Sequence, residues 1–358
     1  MSRAHNFSAG PSALPLPVLR KVQADLLNYR GTGTSVIEVS HRSPEFVDIA
    51  ERAERTLREI LAIGDDYWVL FMQGGATLQF AFVPLNLSRP GETVEYLYNG
   101  AWSGKAIREA RRLRSVHIVG ESQDSVPPPD SWIRAEFSKY LHITSNETIS
   151  GVQFRKFPEQ LDVPLVADMS SDILTRVIDV NQFGLIYASA QKNVGPAGLT
   201  VVIVRRDLCR PLEEGGSEYL NYRAHAERES MYNTPNTFAW YVAGLVFDWV
   251  KESGGVAEMQ RRSIERSGRL YEVIDESNLY TNTIAPEFRS RTNVTFNLED
   301  ESLSADFLAQ ASKANIKHIR GHRLVGGFRI SLYNAIECES VSHLINFMQE
   351  FERECAKK

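Results

Sequence analysis

The chain has 358 residues, 43% of them hydrophobic, enough to bury one large core or two moderate ones. Its net charge of −5, with acidic and basic residues interspersed, argues against a nucleic-acid stripe or a polybasic membrane patch. Three widely spaced cysteines, Cys209, Cys338 and Cys355, argue against a disulfide framework or a thiolate zinc site. No run is long enough to cross a membrane, and the first twenty residues lack the apolar core of a signal peptide, which predicts a cytoplasmic protein.

In chain order, residues 5–17 (HNFSAGPSALPLP) form an arm of small and turn-forming types, and VLRKVQADLLNY then has helical apolar spacing. A glycine- and serine-rich stretch carrying His41 and Arg42 leads to FVDIAERAERTLREILAI, an amphipathic helix that Gly64 and Asp65 are expected to end. From there short apolar runs alternate with helical ones. Strands are predicted at 68–71, 94–98, 116–119, 140–144, 164–168, 185–189 and 199–204. The alternation implies an α/β domain with a mostly parallel seven-stranded sheet covered on both faces. Ligands of such sheets collect where the strands end, so the rim is expected at 74–77, 99–103, 145–151, 168–172 and 189–192. The irregular region from Arg210 to Asn236, with GGSEY and YNTPNT, is longer than a usual connection and points to function or subunit contact. Shorter periodicity beyond about residue 280 predicts a smaller C-terminal α+β domain. The expected division is a large domain over 15–260 and a small one made of 1–14 and 261–358.

Several rim residues could carry chemistry, and each has a plainer reading beside it. Lys192 in SAQKNVGPAG follows a strand, where it is either a solvated loop lysine or an amine placed for a Schiff base. Asp168, ending PLVAD, either holds a protonated ring nitrogen or caps the next turn. The turn Gly74-Gly75-Ala76-Thr77 offers free N–H groups to a phosphate but lacks the lysine of a nucleotide-triphosphate loop; its glycines could equally be steric. Trp102 could lie against an aromatic ring or simply pack. Thr148 and Gln191 add polar groups to the rim. His41 and Arg42, with His322, Arg323 and Arg329, form cationic groups suited to a small polyanion or to a solvated edge. Arg329 shares a strand face with Ser331 and Tyr333, opposite the apolar Phe328, Ile330 and Leu332. No acidic or cysteine ligand recurs beside the histidines, so no metal site is read.

Together, SAQKNVGPAG, VADMSS, GGAT, NGAWS, GHR…FRIS, NFSAGPSALP and EVSHRSPEF resemble the phosphoserine aminotransferase family, and the resemblance runs from about residue 5 to the C-terminus. It implies the PLP-dependent transferase fold (fold type I) and pyridoxal 5'-phosphate as cofactor. Lys192 would be the Schiff-base lysine and Asp168 the partner of the ring nitrogen, with Trp102 stacked on the ring and Thr148 bonded to its phenolic oxygen. Ala76, Thr77 and Gln191 would hold the phosphate, together with Asn233 and Thr234 from the neighbouring subunit, which makes a homodimer with shared active sites. His41, Arg42, His322, Arg323 and Arg329 would bind substrate, Arg329 at the α-carboxylate. Many members of the family carry glycine at 76 or arginine at 77, so Ala76–Thr77 implies a change in how the phosphate end is held. The implied reaction is reversible transamination between O-phospho-L-serine and 2-oxoglutarate in serine biosynthesis, and the same pocket would suit a phosphorylated hydroxythreonine of pyridoxine biosynthesis. Small anionic amino acids and keto acids are then the only partners besides a second subunit. A desulfurase on this fold would need a nucleophilic cysteine in an active-site loop, and a non-catalytic scaffold would not need Lys192 and Asp168 on one rim.

Overall fold

The structure, a computed structural model, describes residues 3–211 and 216–357. The elements up to residue 205 are β1 (His5–Asn6), α1 (Leu16–Asp25), α2 (Pro44–Leu61), β2 (Tyr67–Met72), α3 (Gly75–Leu87), β3 (Thr93–Tyr98), α4 (Ala101–Ala110), β4 (Ser115–Glu121), β5 (Leu141–Thr144), β6 (Asn146–Glu147), β7 (Val152–Gln153), β8 (Leu165–Asp168), β9 (Leu185–Ser189) and β10 (Thr200–Arg205). All seven predicted strands lie in one seven-stranded sheet of order β2-β10-β9-β8-β5-β3-β4. β10 runs antiparallel to both its neighbours, while the other pairs are parallel. Strands such as β8 and β9 are buried along their whole length because helices cover both faces, which is why they read as unbroken apolar runs rather than alternating ones. The ten residues between β9 and β10 are too few for a crossover helix, so the chain reverses there and β10 comes back antiparallel. Lys192 sits in that reversal.

The remaining elements are α5 (Tyr222–Ala226), α6 (Thr237–Glu252), α7 (Gly255–Asp275), β11 (Tyr280–Thr281), β12 (Asn293–Leu298), α8 (Ser304–Lys313), β13 (Ile316–Lys317), β14 (Phe328–Ser331) and α9 (Cys338–Cys355). Part of the irregular region before α6, residues 212–215, lies outside the described residues. α2 starts at Pro44, whose missing N–H costs nothing at a helix start, and buries Phe46, Ile49, Ala50, Ala53, Leu57 and Leu61 along one stripe. It packs on α6 at close range: a Cβ at Gly244 would lie 3.2 Å from the Ala53 Cβ. The helix ends earlier than Gly64 suggests. Ala62 takes the left-handed conformation (φ 52°) and its N–H bonds back to the Arg58 and Glu59 carbonyls.

One apolar core lies between the sheet and α2 and α6, a second covers the opposite sheet face, and a third is built from α7–α9 with β11, β12 and β14. α7 bridges the first and third, with Val256 and Met259 in one and Leu270 and Ile274 in the other. The N-terminal arm belongs with the C-terminal elements: β1 pairs in parallel with β13, His5 opposite Ile316, and Phe7 is fully buried in the third core. Among the described residues no helix is long and apolar enough to cross a membrane.

Candidate active site

Four strand ends and two helix starts converge on a cavity of about 290 Å³. β8 brings Asp168 and β5 brings Thr144, paired residue to residue across the sheet. The β9–β10 reversal brings Gln191 and Lys192, and the first turns of α3 and α4 bring Ala76, Thr77 and Trp102. Thr148 follows β6, and His322 and Arg329 reach the same cavity from the C-terminal elements. The N-terminal arm closes one wall with Ala9 and Gly10. It is fastened to the reversal: Ser12 donates its N–H to the Gln191 carbonyl at 2.9 Å and its hydroxyl to the Lys192 carbonyl at 2.6 Å.

Lys192 and Asp168 form a coupled pair. Burial pushes the Lys192 amine below its ordinary range, opposed by the negative charges of Asp168 and Glu147. Burial likewise raises the Asp168 carboxyl, opposed by its hydrogen bonds from Ser170, whose main-chain N–H lies 2.9 Å from Oδ1, and by the charge of Lys192. A cation set against Asp168 would hold it ionised. The Lys192 Nζ lies 5.8 Å from the centre of the Trp102 ring, and the indole N–H donates to Thr148 Oγ1 at 3.0 Å. The Thr148 carbonyl in turn accepts from Arg329 at 3.0 Å, so one short segment links the aromatic plane to the cationic end.

The residues fit a pyridine-aldehyde phosphate. Thr144 Oγ1 is buried at the cavity without a protein partner, an orphaned polar atom that a bound group would satisfy. Gly74 and Gly75 have φ of 92° and 66°, and the turn they make leaves the start of α3 with neither a side-chain cap nor an acidic residue. Such a helix start accepts an anion. Ser189, whose Oγ would stand 3.4 Å from a Cβ at Gly75, donates its hydroxyl to the Gln191 side-chain oxygen, and both residues line the cavity. His322 and Arg329 have no ion-pair partner among the described residues, and burial, followed by the charges of Arg329, Arg323 and Lys105, holds the His322 imidazole below its usual range.

Comparison with known proteins gives these features a context. The aminotransferase class-V family matches residues 4–344. A phosphoserine aminotransferase of Pseudomonas entomophila is 51% identical over 358 residues, 99% of each chain. One from Pseudomonas aeruginosa PAO1 is 50% identical over 98% of this chain and 99% of its own. The solved phosphoserine aminotransferase from Bacillus circulans subsp. alkalophilus superposes with a TM-score of 0.96 at 41% identity, covering 98% of this chain and 99% of that one. The chain belongs to the phosphoserine aminotransferase family. Its architecture is the fold type I PLP-dependent transferase fold, and its cofactor is pyridoxal phosphate.

Against the phosphoserine aminotransferase site expected from sequence, Ala76, Thr77, Trp102, Thr148, Asp168, Gln191, Lys192, His322 and Arg329 meet in one cavity. Five residues stand outside its lining. Arg323 is exposed on the loop next to His322, and His41 and Arg42 lie in the turn before α2. Asn233 and Thr234 are exposed before α6, where the Thr234 carbonyl accepts from Gln73 at 3.2 Å. The face of β14 opposite its core residues is a polar seam: Ser331 and Tyr333 are buried and both accept from Asn293. The arm residues Ser12 and Gly10 joined the site only in three dimensions, and Glu147, although inside the expected rim, and Thr144, at the end of an expected strand, gained their parts there, since no side-chain spacing announces a partner 45 or 180 residues away.

Proposed function

We propose that this chain catalyses reversible transamination between O-phospho-L-serine and 2-oxoglutarate, giving 3-phosphohydroxypyruvate and L-glutamate, with the residues named above in the roles that follow. The observation that carries the reading is Lys192 and Asp168 facing one cavity beside Trp102, with His322 and Arg329 unpaired at its other end. When bound, pyridoxal phosphate supplies an aldehyde for the lysine and a ring that accepts carbanion charge. Lys192, its amine destabilised as a cation by burial, is suited to attack as a neutral nucleophile and later to take and return the α-proton at Nζ. Asp168 holds the proton at the ring nitrogen, and Ser170 keeps its carboxylate aimed by bonding Oδ1. Trp102, braced by Thr148, covers one face and excludes water. Ala76, Thr77 and Gln191 hold the cofactor phosphate, the Thr77 hydroxyl adding to the helix-start N–H groups. Arg329 binds the α-carboxylate with its planar fork, and His322 and Arg323 meet the substrate phosphate or distal carboxylate.

His41, Arg42, Asn233 and Thr234 complete the partner subunit's site in a homodimer with shared active sites, which accounts for four polar residues standing free of their own chain's cavity. The reading includes a large unit over 15–260 and a small one of 1–14 and 261–358, supported by the separate cores and the β1–β13 pairing, and a cytoplasmic location. A phosphorylated hydroxythreonine, the substrate class of a pyridoxine-forming step, would meet the same cations. Purified protein supplied with cofactor should show a visible absorption band that borohydride fixes and that Lys192→Ala lacks. A colourless protein that cannot be reconstituted would refute the assignment.

A further inference from the structure

Glu147 is fully buried beside the cavity, yet it forms no ion pair among the described residues. Its carboxylate faces the start of α4. Oε1 accepts the main-chain N–H groups of Trp102 at 2.9 Å and Ser103 at 2.8 Å, and Oε2 lies 3.2 Å from the same Trp102 nitrogen. These are among the donors a helix start leaves unsatisfied, and a carboxylate also suits the positive end of the helix dipole. Gly100 leaves room for it: with φ of 154°, a Cβ there would stand 2.6 Å from the Glu147 carboxyl carbon. The next residue, Thr148, accepts the indole N–H of the same tryptophan. Two adjacent residues therefore hold Trp102 at its backbone and at its ring.

We propose that Glu147 is a positioning residue for the Trp102 plane and for Lys192, clamping the first turn of α4 while placing a second negative charge, after Asp168, within electrostatic reach of the lysine nitrogen. This rests on the function proposed above. The charged groups facing Lys192 are Asp168 at the end of β8, Asp172 after it, Glu147 on β6 and Arg329 on β14. Glu147 and Asp168 also repel one another, and burial raises the Glu147 carboxyl while the Ser103 and Trp102 N–H groups oppose that rise. A plain structural cap would leave the proton on the Lys192 nitrogen unmoved when its charge is removed; a positioning residue for Lys192 would not.

Two substitutions separate the clamp from the charge. Glu147→Gln keeps an oxygen at the Oε1 position for both short N–H bonds and removes the charge, whereas Glu147→Ala removes both. In cofactor-loaded, full-length protein, the pH midpoint of the visible absorption, which reports the proton on the Lys192 nitrogen, should fall by about half a unit or more in Glu147→Gln. In the cofactor-free chain, acrylamide quenching of Trp102, taken as the difference from a Trp102→Phe background, should rise roughly twofold in Glu147→Ala as the first turn of α4 frays, and stay unchanged in Glu147→Gln. If the alanine variant does not fold, Glu147→Asp, which withdraws the carboxylate by one methylene, should show the same rise. An unmoved midpoint in Glu147→Gln, or unmoved quenching in the clamp-deleting variant, would overturn the proposal while leaving the function standing. A wild-type chain that binds no pyridoxal phosphate would overturn both.

Discussion

Asp168→Asn is the sharpest test of how the site divides its work. The Ser170 N–H at 2.9 Å from Oδ1 selects the amide oxygen for that position, leaving the NH₂ in place of the second carboxylate oxygen. A protonated ring nitrogen then meets a donor where it had a charged acceptor. A hydrogen bond to a charged group contributes about 1.5–3 kcal/mol net, and leaving its partner unsatisfied costs about 1–3 kcal/mol more. Together these amount to roughly 2.5–6 kcal/mol, or a rate loss on the order of 10²–10⁴. The lysine does not compensate, because Asp168 is the largest influence holding its amine up, and losing that charge lets burial lower the amine further. The assay is a single turnover with phosphoserine followed by visible absorbance, with thermal unfolding as a check on the fold. A variant that folds, binds cofactor and reacts within about threefold of wild type would refute the assigned role of Asp168.

Four further outcomes follow from the geometry. Arg329→Lys replaces a planar fork by a point charge, so the KM for phosphoserine and for glutamate should both rise, on the order of tenfold or more, since both carry the α-carboxylate. Gly321→Ala would place its Cβ 1.9 Å from the Gly326 carbonyl oxygen, forcing the loop that carries His322 and Arg323 to shift; steady-state kinetics should show a raised KM for phosphoserine with little change in Tm. Asn293→Ala strips partners from Asn146, Ser331 and Tyr333 in the buried seam and should destabilise by about 2–4 kcal/mol, read by denaturant unfolding. His322, held below its ordinary value by burial and by nearby cations, should gain a proton when the substrate phosphate arrives. The bound value then exceeds the free one, so affinity is greatest below the free value and declines as pH climbs through the bound value. Calorimetry in buffers of different ionisation enthalpy should show proton uptake that His322→Asn reduces.

The parts of the fold legible in the sequence are those where both neighbours of a residue are apolar. LIYAS and TVVIV read as buried strands by their unbroken apolar, β-branched and aromatic composition, whereas an edge strand such as β4, with a single buried residue, had to be read from a shorter apolar run. An apolar run carries no direction, so the antiparallel course of β10 had to come from the short connection before it. The end of α2 was misplaced because glycine is the usual left-handed residue and here Ala62 takes that role two positions earlier. The placement of Lys192 and Asp168 at one cavity was legible because strand ends share a rim, and that of Arg329 because its neighbours Phe328 and Ile330 commit the opposite face to the core. Glu147 was not, since its partners are main-chain N–H groups, which have no signature in a sequence. His41, Arg42, Asn233 and Thr234 have meaning at this cavity only if a second subunit brings them there.

Recognition of a phosphorylated amino acid is the central claim, and half-reactions test it directly. The purified, cofactor-loaded protein should lose its visible band rapidly with phosphoserine or glutamate and poorly with unphosphorylated serine, because serine keeps the α-carboxylate for Arg329 but leaves His322 and Arg323 facing no anion. Equal rates for phosphoserine and serine would contradict it.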